Sequence, residues 1–359
     1  MSRALARRAL GRRFSSAAVL PEIDLAALDA RAPTAACREE LVRLRSACES
    51  AGYFSLRTET LVAPQLVQAM YAQAQAFHSL PEEVKQQCHH GLDRRNARGY
   101  VPLGEEPGYE DGAVVSHVSA FDLANDLPAS DPRVLSGASG LGSNVWPSEA
   151  HLPGFRDTAR AYYSATTAVA RLLFTAFAQC LELPAHTFLR HHSAYSRGSC
   201  RLLKYPGTGS VAIAEARNLG ISAHTDFEAH TIMHGNAPGL QLATGAGSEE
   251  WMDAPVPDLH HHTVILGDML ERFTNGHWQA TRHRVLHVSH ERLSLIRFVG
   301  FDGDSKVSPL PQFGVPKTCY PPTTQSEHLD GAMRMAEARR MQLLAAGLVA
   351  GTAQQSKTT

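Results

Sequence analysis

From about residue 197 to residue 315 the chain reads as short apolar runs broken by glycine and proline turns, Pro238-Gly239 among them. A run of that length can bury only one or two faces, so many of them in succession must pair with one another. The pattern is that of an antiparallel barrel or a jelly roll. No run approaches 18 consecutive apolar residues, so no membrane-spanning helix is expected.

Upstream, the period changes. Residues 21–25 read as a short entry strand. Cys37, Leu41, Leu44 and Cys48 then fall on one face of a helix over 34–50, with Thr34 as its N-cap. Residues 52–56 read as a strand. Leu66, Met70 and Phe77 mark a second helix, and Pro81 with Glu82 and Glu83 marks the start of another. Residues 104–148, rich in Gly, Pro, Ser and Asp, read as long loops around a few short strands. A long helix is expected over 154–182, with Phe155, Ala159, Tyr162, Val169 and Ala176 on one stripe. The end is expected to be helical over 329–346, followed by a polar tail over 351–359. We expect a transit segment at 1–19, a leading domain at 20–145, a helical connector at 146–196, the strand-rich domain at 197–315 and a C-terminal helix and tail at 316–359.

The first 19 residues carry Arg3, Arg7, Arg8, Arg12 and Arg13 and no acid before Glu22. That is the pattern of an organelle transit peptide, mitochondrial before plastid or cytoplasmic, and it lacks the apolar stretch of a secretory signal. Its removal would take the formal net charge from -1 to about -6. Neither value resembles a basic nucleic-acid footprint, so no nucleic acid, no membrane and a monomer or weak dimer are expected. The six cysteines are scattered without a CxxC pair, which points to reduced thiols.

His224 and Asp226 are one residue apart in a strand-like stretch. Residues i and i+2 of a strand project from the same face, and a buried imidazole or carboxylate is costly unless something satisfies it. Two histidines and one carboxylate that leave open positions suit non-haem Fe(II). His260, His261 and His262 follow Pro255, Pro257 and Asp258 and read as a solvated loop. His230 would lie about 20 Å along an extended strand from His224, too far for one ion. His277, His287 and His290 also flank the later candidate, His283.

In order and spacing, several motifs resemble the 2-oxoglutarate/Fe(II)-dependent dioxygenases of the isopenicillin N synthase-like superfamily. These are His224-Thr225-Asp226-Phe227, Pro238-Gly239-Leu240-Gln241, residues 267–272, Thr274-Asn275-Gly276, His283-Arg284-Val285 and Arg292-Leu293-Ser294. Pro21 to Asp24, Gly52-Tyr53-Phe54, Phe77 with Leu80-Pro81, and Arg98-Gly99-Tyr100 are similar to that family's leading domain. The resemblance covers about residues 20–305. It implies a mainly β fold with flanking helices: a double-stranded β-helix (jelly roll) core behind an α/β N-terminal region. It implies Fe(II) on His224, Asp226 and His283, and the distal carboxylate of 2-oxoglutarate on Arg292, Ser294 and Tyr205. Plant members often have Asn two residues before that tyrosine; this chain has Leu203. Arg297 lies on the opposite strand face and is not expected to join the anchor. O2 is then the second co-substrate, ascorbate a supporting reductant, and a small-molecule metabolite is hydroxylated or desaturated with release of succinate and CO2. Arg98, Tyr100, Phe227 and Phe298 are candidates for contact with that metabolite, under a cover of residues 98–120 and the C-terminal helix. An iron oxidase of the same superfamily that uses no 2-oxoglutarate, and a non-catalytic ligand-binding member, remain alternatives. A structural zinc protein is disfavoured because no cysteine lies near these residues.

Overall fold

The structure is a computed structural model and describes residues 19–28, 34–93, 98–109, 116–207, 219–245, 247–287, 289–314 and 320–345. Residues 1–18 of the expected transit segment, the expected polar tail and Cys319 lie outside the described residues. In chain order the elements begin with β1 (Glu22–Asp24), α1 (Leu25–Leu28), α2 (Ala35–Ser50), β2 (Tyr53–Arg57), α3 (Pro64–His78) and α4 (Glu82–Gln86). β3 (Gly99–Val101), β4 (Ser119–Leu123), α5 (Pro132–Leu135) and α6 (Phe155–Cys180) follow. The strand-rich part holds β5 (Cys200–Tyr205), β6 (Leu219–His224), β7 (His230–Gly235), β8 (Leu240–Ala243), β9 (Trp251–Asp253) and β10 (His261–Leu266). It continues through α7 (Asp268–Phe273), β11 (His283–Leu286), β12 (Arg292–Val299) and β13 (Lys306–Val307), and the chain closes with β14 (Thr323–Thr324) and α8 (Gln325–Ala345).

Local chemistry sets several of these boundaries. Thr34 caps α2 by accepting the Cys37 N–H at 3.1 Å. Pro64 sits in the first turn of α3, where its missing N–H costs nothing. Asn275 ends the α7 turn with φ 54°, and Gly276 follows at φ 81°. Residues 267–272 carry a motif but no helical period, and α7 is a helix the sequence pattern does not announce. α8 starts four residues earlier than expected.

An eight-stranded sheet runs β1-β2-β10-β7-β12-β5-β4-β3, and a four-stranded sheet runs β6-β11-β8-β9. They face each other as a jelly roll. Strands from the leading region form both edges of the large sheet, with β1 parallel to β2 and the pairs that join this region to the barrel antiparallel. Alternation along each strand separates two cores. One face of the large sheet packs under α2, α3 and α6 through Phe54, Phe77, Phe121, Tyr162, Phe174 and Phe177. The other face meets the small sheet through Tyr53, Leu203, Tyr205, Met233, Leu242, Val285 and Ile296. Each large side chain so buried contributes about 1.5–3 kcal/mol. The site sits at the second interface.

The histidine run departs from expectation. His260 is exposed, but His261 opens β10 and His262 is fully buried. Its Nδ1 lies 2.7 Å from Thr58 Oγ1 and its Nε2 3.2 Å from the Tyr162 hydroxyl. β10 pairs with β2 on one side and β7 on the other, so every second residue must face the helical layer. His230 is likewise buried against Phe174 and Phe177, ring centroids 5.0 and 5.4 Å away. It is kept from the site by lying on the helical face of the sheet, not by distance along an extended strand. The five cysteines among the described residues are buried and free, and burial pushes the Cys180 and Cys200 thiols up to about 12. Among the described residues no helix is long and apolar enough to cross a membrane.

Candidate metal centre and co-substrate pocket

β6 and β11 are register neighbours, with His224 directly opposite His283. Ile221 packs in the inter-sheet core, so strict alternation would turn His224 outward. A register shift between the two strands, of the bulge kind often found beside active sites, lets both residues face inward. β6 ends at His224, so Asp226 lies in the turn beyond it. The expected convergence is present, but the turn rather than strand pleat creates it. The Asp268 N–H holds the Asp226 carbonyl at 2.9 Å.

His224 Nε2 and His283 Nε2 lie 3.7 and 3.6 Å from Asp226 Oδ1, and the three ligand atoms fall within 4.8 Å of one another. Each ring is oriented by the backbone carbonyl two residues before it. His224 Nδ1–H donates to the Ser222 carbonyl at 2.8 Å, and His283 Nδ1–H to the Thr281 carbonyl at 3.1 Å. Both Nε2 lone pairs are thereby directed at one point. Thr231 Oγ1 donates to Asp226 Oδ2, leaving Oδ1 for that same point. Burial, reinforced by His283, pushes His224 down to about 4, so its ring is neutral at physiological pH. Two imidazoles and one carboxylate converging on a point can bind a divalent ion and leave coordination positions for further ligands.

Along the inner face of β12, Arg292, Ser294, Ile296 and Phe298 follow in strand alternation. Arg292 is buried; its Nε donates to the Ala237 carbonyl at 3.1 Å, and its guanidinium lies 5.0 Å from the centre of the Tyr205 ring. Arg292 Nη1 and the Tyr205 hydroxyl are both buried without a hydrogen-bond partner among the described residues. Native interiors rarely tolerate such groups, least of all a cation, unless a ligand completes them. Burial pushes the Tyr205 phenol up to about 12, so it remains a donor. Ser294 Oγ lies 3.3 Å from the His234 carbonyl. Two glycines allow the close approach: a Cβ on Gly235 would stand 2.5 Å from Arg292 Nη2, and one on Gly220 2.8 Å from the Tyr205 ring. Leu203, at the departed asparagine position, sits opposite Ser294 in the apolar core. Arg297 points the other way, stacked 4.2 Å from the Tyr163 ring on α6.

The leading region, residues 20–149, matches the family described as non-haem dioxygenase in morphine synthesis N-terminal, and residues 197–300 match the 2OG-Fe(II) oxygenase superfamily. The chain is 33% identical over 303 residues to the 2-oxoglutarate-dependent dioxygenase CitB of Monascus ruber, covering 82% of this chain and 88% of that one. This chain belongs to the 2OG-Fe(II) oxygenase superfamily. It is a 2-oxoglutarate-dependent dioxygenase that uses Fe(II) to oxidise a small molecule. It is also 28% identical over 310 residues to the clavatol oxidase ClaD of Penicillium crustosum, covering 82% of this chain and 89% of the other. The fold is shared with a full-length Neurospora crassa protein solved with alpha-KG and thymine, at a TM-score of 0.72 and 19% identity over 89% of this chain and 97% of that one.

Two expectations for the oxygenase's substrate contacts are corrected. Arg98 is buried and donates to the carbonyls of Asn125, Gly140 and Gly142, so it pins the loop after β4. Tyr100 is buried on the helical face of β3, away from the barrel interior: its hydroxyl donates to Glu82 at 3.2 Å and its ring packs 5.8 Å from Phe77. Its neighbour Val101 takes the inward position in the inter-sheet core. Phe298 faces the barrel interior with Arg292, and Phe227 directly follows Asp226.

No sequence signal marks Tyr109, which lies in the aperiodic stretch. Its ring stacks on His224 at 5.0 Å and 28°, and lies 6.3 Å from Phe227. Its N–H donates to Ser222 Oγ at 2.9 Å and its hydroxyl to Glu106. Glu106 holds both terminal nitrogens of Arg201, whose Nε bonds Asp122 at 2.7 Å. Burial pushes both carboxyls up; the bidentate Arg201 fork and the Tyr109 hydroxyl reverse this for Glu106, whereas Asp122 stays raised.

Proposed function

We propose that His224, Asp226 and His283 hold the Fe(II), that Arg292 with Tyr205 and Ser294 holds the distal carboxylate of 2-oxoglutarate, and that a small metabolite enters past Phe227 and Phe298 to be hydroxylated or desaturated. The observation that carries this reading is the pair of donors, Arg292 Nη1 and Tyr205 Oη, buried in the same barrel as the triad and without a partner among the described residues. A dicarboxylate reaching from the open side of the triad to these donors would satisfy both ends. When bound, the iron supplies O2 activation coupled to decarboxylation of 2-oxoglutarate to succinate and CO2.

The chain's own part is positional. The carbonyls of Ser222 and Thr281 fix the tautomers, so each imidazole meets the metal through a lone pair rather than a proton. Thr231 fixes which carboxylate oxygen is free. Arg292 neutralises the co-substrate's far charge away from water, where a guanidinium fork is worth most. Phe227 and Phe298 present apolar surface that excludes water from the reacting carbon.

His224→Ala, Asp226→Ala and His283→Ala each test the triad. Each should abolish both succinate release and the rise in melting temperature caused by Mn(II) with 2-oxoglutarate. Retention of substantial turnover in any one means that its residue is not a ligand. Oxygen uptake by the parent without succinate would favour the iron oxidase reading instead.

We further propose that residues 1–19 direct the protein to mitochondria, supported by their five arginines and absence of acids. A reporter fused to residues 1–25 that stays cytosolic would remove that proposal.

A further inference from the structure

Three polar side chains of α8 end on residues that adjoin the triad. Gln325 is fully buried. Its Nε2 donates to the Phe227 carbonyl at 3.1 Å, one residue past Asp226, and its Oε1 accepts the Phe301 N–H at 3.1 Å. One amide thus ties the turn bearing Asp226 to the chain just beyond β12, the strand that carries Arg292. His328 Nε2 lies 2.8 Å from Asp268 Oδ2, and the Asp268 N–H holds the Asp226 carbonyl. Arg339 Nη1 donates to the Tyr109 carbonyl at 2.9 Å, and Tyr109 is the ring stacked on His224.

Offsets of three and eleven residues place 325, 328 and 339 on one side of a helix, with buried Ala336 on the same side. Arg197 anchors the first turn of that helix through Ser326 at 2.8 Å and Asp330 at 2.8 Å. α8 is therefore pinned to the rim at one end and reaches both sides of the triad along its length.

We propose that Gln325 and Arg339 of α8 are positioning residues of the metal centre: Gln325 holds the turn of Asp226, and Arg339 holds Tyr109 against His224. This rests on the ligand assignment proposed above. Each acts through a backbone carbonyl rather than on the ligand atoms. Groups that orient metal ligands from outside typically change metal affinity by about 10–100-fold when removed. Gln325 carries the larger share because it is buried and bonded at both ends, whereas Arg339 is half-buried and acts through a ring.

The test uses the full chain with Gln325→Ala, Arg339→Ala, Arg339→Lys, and the exposed Met335→Ala as a control. Mn(II) affinity is measured calorimetrically at saturating 2-oxoglutarate, well below each variant's melting temperature. Gln325→Ala should weaken Mn(II) binding about tenfold or more, and Arg339→Ala about threefold or more. Arg339→Lys, which can still donate to the Tyr109 carbonyl, should recover to within about twofold of the parent, as should Met335→Ala. A merely structural role would lower melting temperature without moving the affinity of the folded protein. Parent-like Mn(II) affinity in both Gln325→Ala and Arg339→Ala overturns the proposal. If Gln325→Ala does not fold, the Arg339 pair decides alone. His224→Ala separates the two readings: parent-like Mn(II) binding in that variant would sink the ligand assignment itself.

Discussion

Arg292 and Arg297 stand five residues apart on β12 and are both buried, yet they should respond to truncation in opposite ways. Arg292 faces the barrel, with one backbone acceptor at Ala237 and an Nη1 that no described residue satisfies. Arg297 faces α6, stacked on Tyr163 and donating to its hydroxyl at 3.1 Å, with its Nε also buried without a partner among the described residues. In Arg292→Ala the protein loses hydrogen bonds to a charged ligand, each worth about 1.5–3 kcal/mol. Two such bonds amount to about 3–6 kcal/mol, so the 2-oxoglutarate Kd should rise by at least about 100-fold. The same substitution removes a buried cation with one nitrogen unsatisfied among the described residues, which offsets part of the packing loss. Arg297→Ala should leave the 2-oxoglutarate Kd within about twofold and destabilise the ligand-free protein by about 1–3 kcal/mol through lost stacking and hydrogen bonding. Calorimetric titration of 2-oxoglutarate onto the Mn(II) form, with melting curves of the ligand-free proteins, measures both. An unchanged 2-oxoglutarate Kd in Arg292→Ala would refute the anchor.

Gly235→Ala should also raise the 2-oxoglutarate Kd, because its new methyl would displace Arg292 Nη2, while Mn(II) binding measured without 2-oxoglutarate stays as in the parent. Arg98→Ala should lower the melting temperature and leave the apparent KM for substrate unchanged, since its donors serve loop carbonyls; a raised KM with unchanged stability would restore it as a substrate contact. Acid should destabilise the metal-free protein. Burial lowers His78 and His192 to about 4 and His262 to about 3, against 6.5 for the free side chain. The unfolded chain therefore binds more protons than the native one as pH falls below 6.5, and native stability is lost progressively towards pH 4. With three such histidines the slope should approach about 4 kcal/mol per pH unit. Urea melts from about pH 7.5 to about pH 4.5 with a flat midpoint would contradict that burial.

Helices with a single apolar stripe are legible because burial imposes a period on the sequence: α2 with Thr34 as its cap, and α6 with Phe155, Ala159 and Tyr162, begin within a residue of expectation. α8 is foreseen only in outline, because its apolar and polar residues are not sorted onto faces and its inward side is chosen by hydrogen bonds. The middle of the histidine run misleads for a related reason. Polar residues after two prolines look like a turn, and only pairing with β2 and β7 reveals that His262 must be buried and satisfied by Thr58 and Tyr162. Arg98 and Tyr100 show the same limit: a motif names residues without saying which face of a short strand they occupy.

Amino-acid order alone was enough to indicate a strand-rich barrel and a His224/Asp226 pair, because short apolar runs and ligand chemistry act over a few neighbouring positions, while His283 and the Arg292/Ser294 pair came from the order and spacing of motifs that resemble a known family. Only the tertiary structure decided that a register shift turns His224 towards His283, that Thr231 selects the free oxygen of Asp226, that Gly235 and Gly220 make room for the Arg292–Tyr205 pair, and that Tyr109 and α8 close around them. Those contacts join residues up to 230 positions apart, such as Arg339 and Tyr109. Their geometry is set by sheet register and packing, which no local pattern encodes.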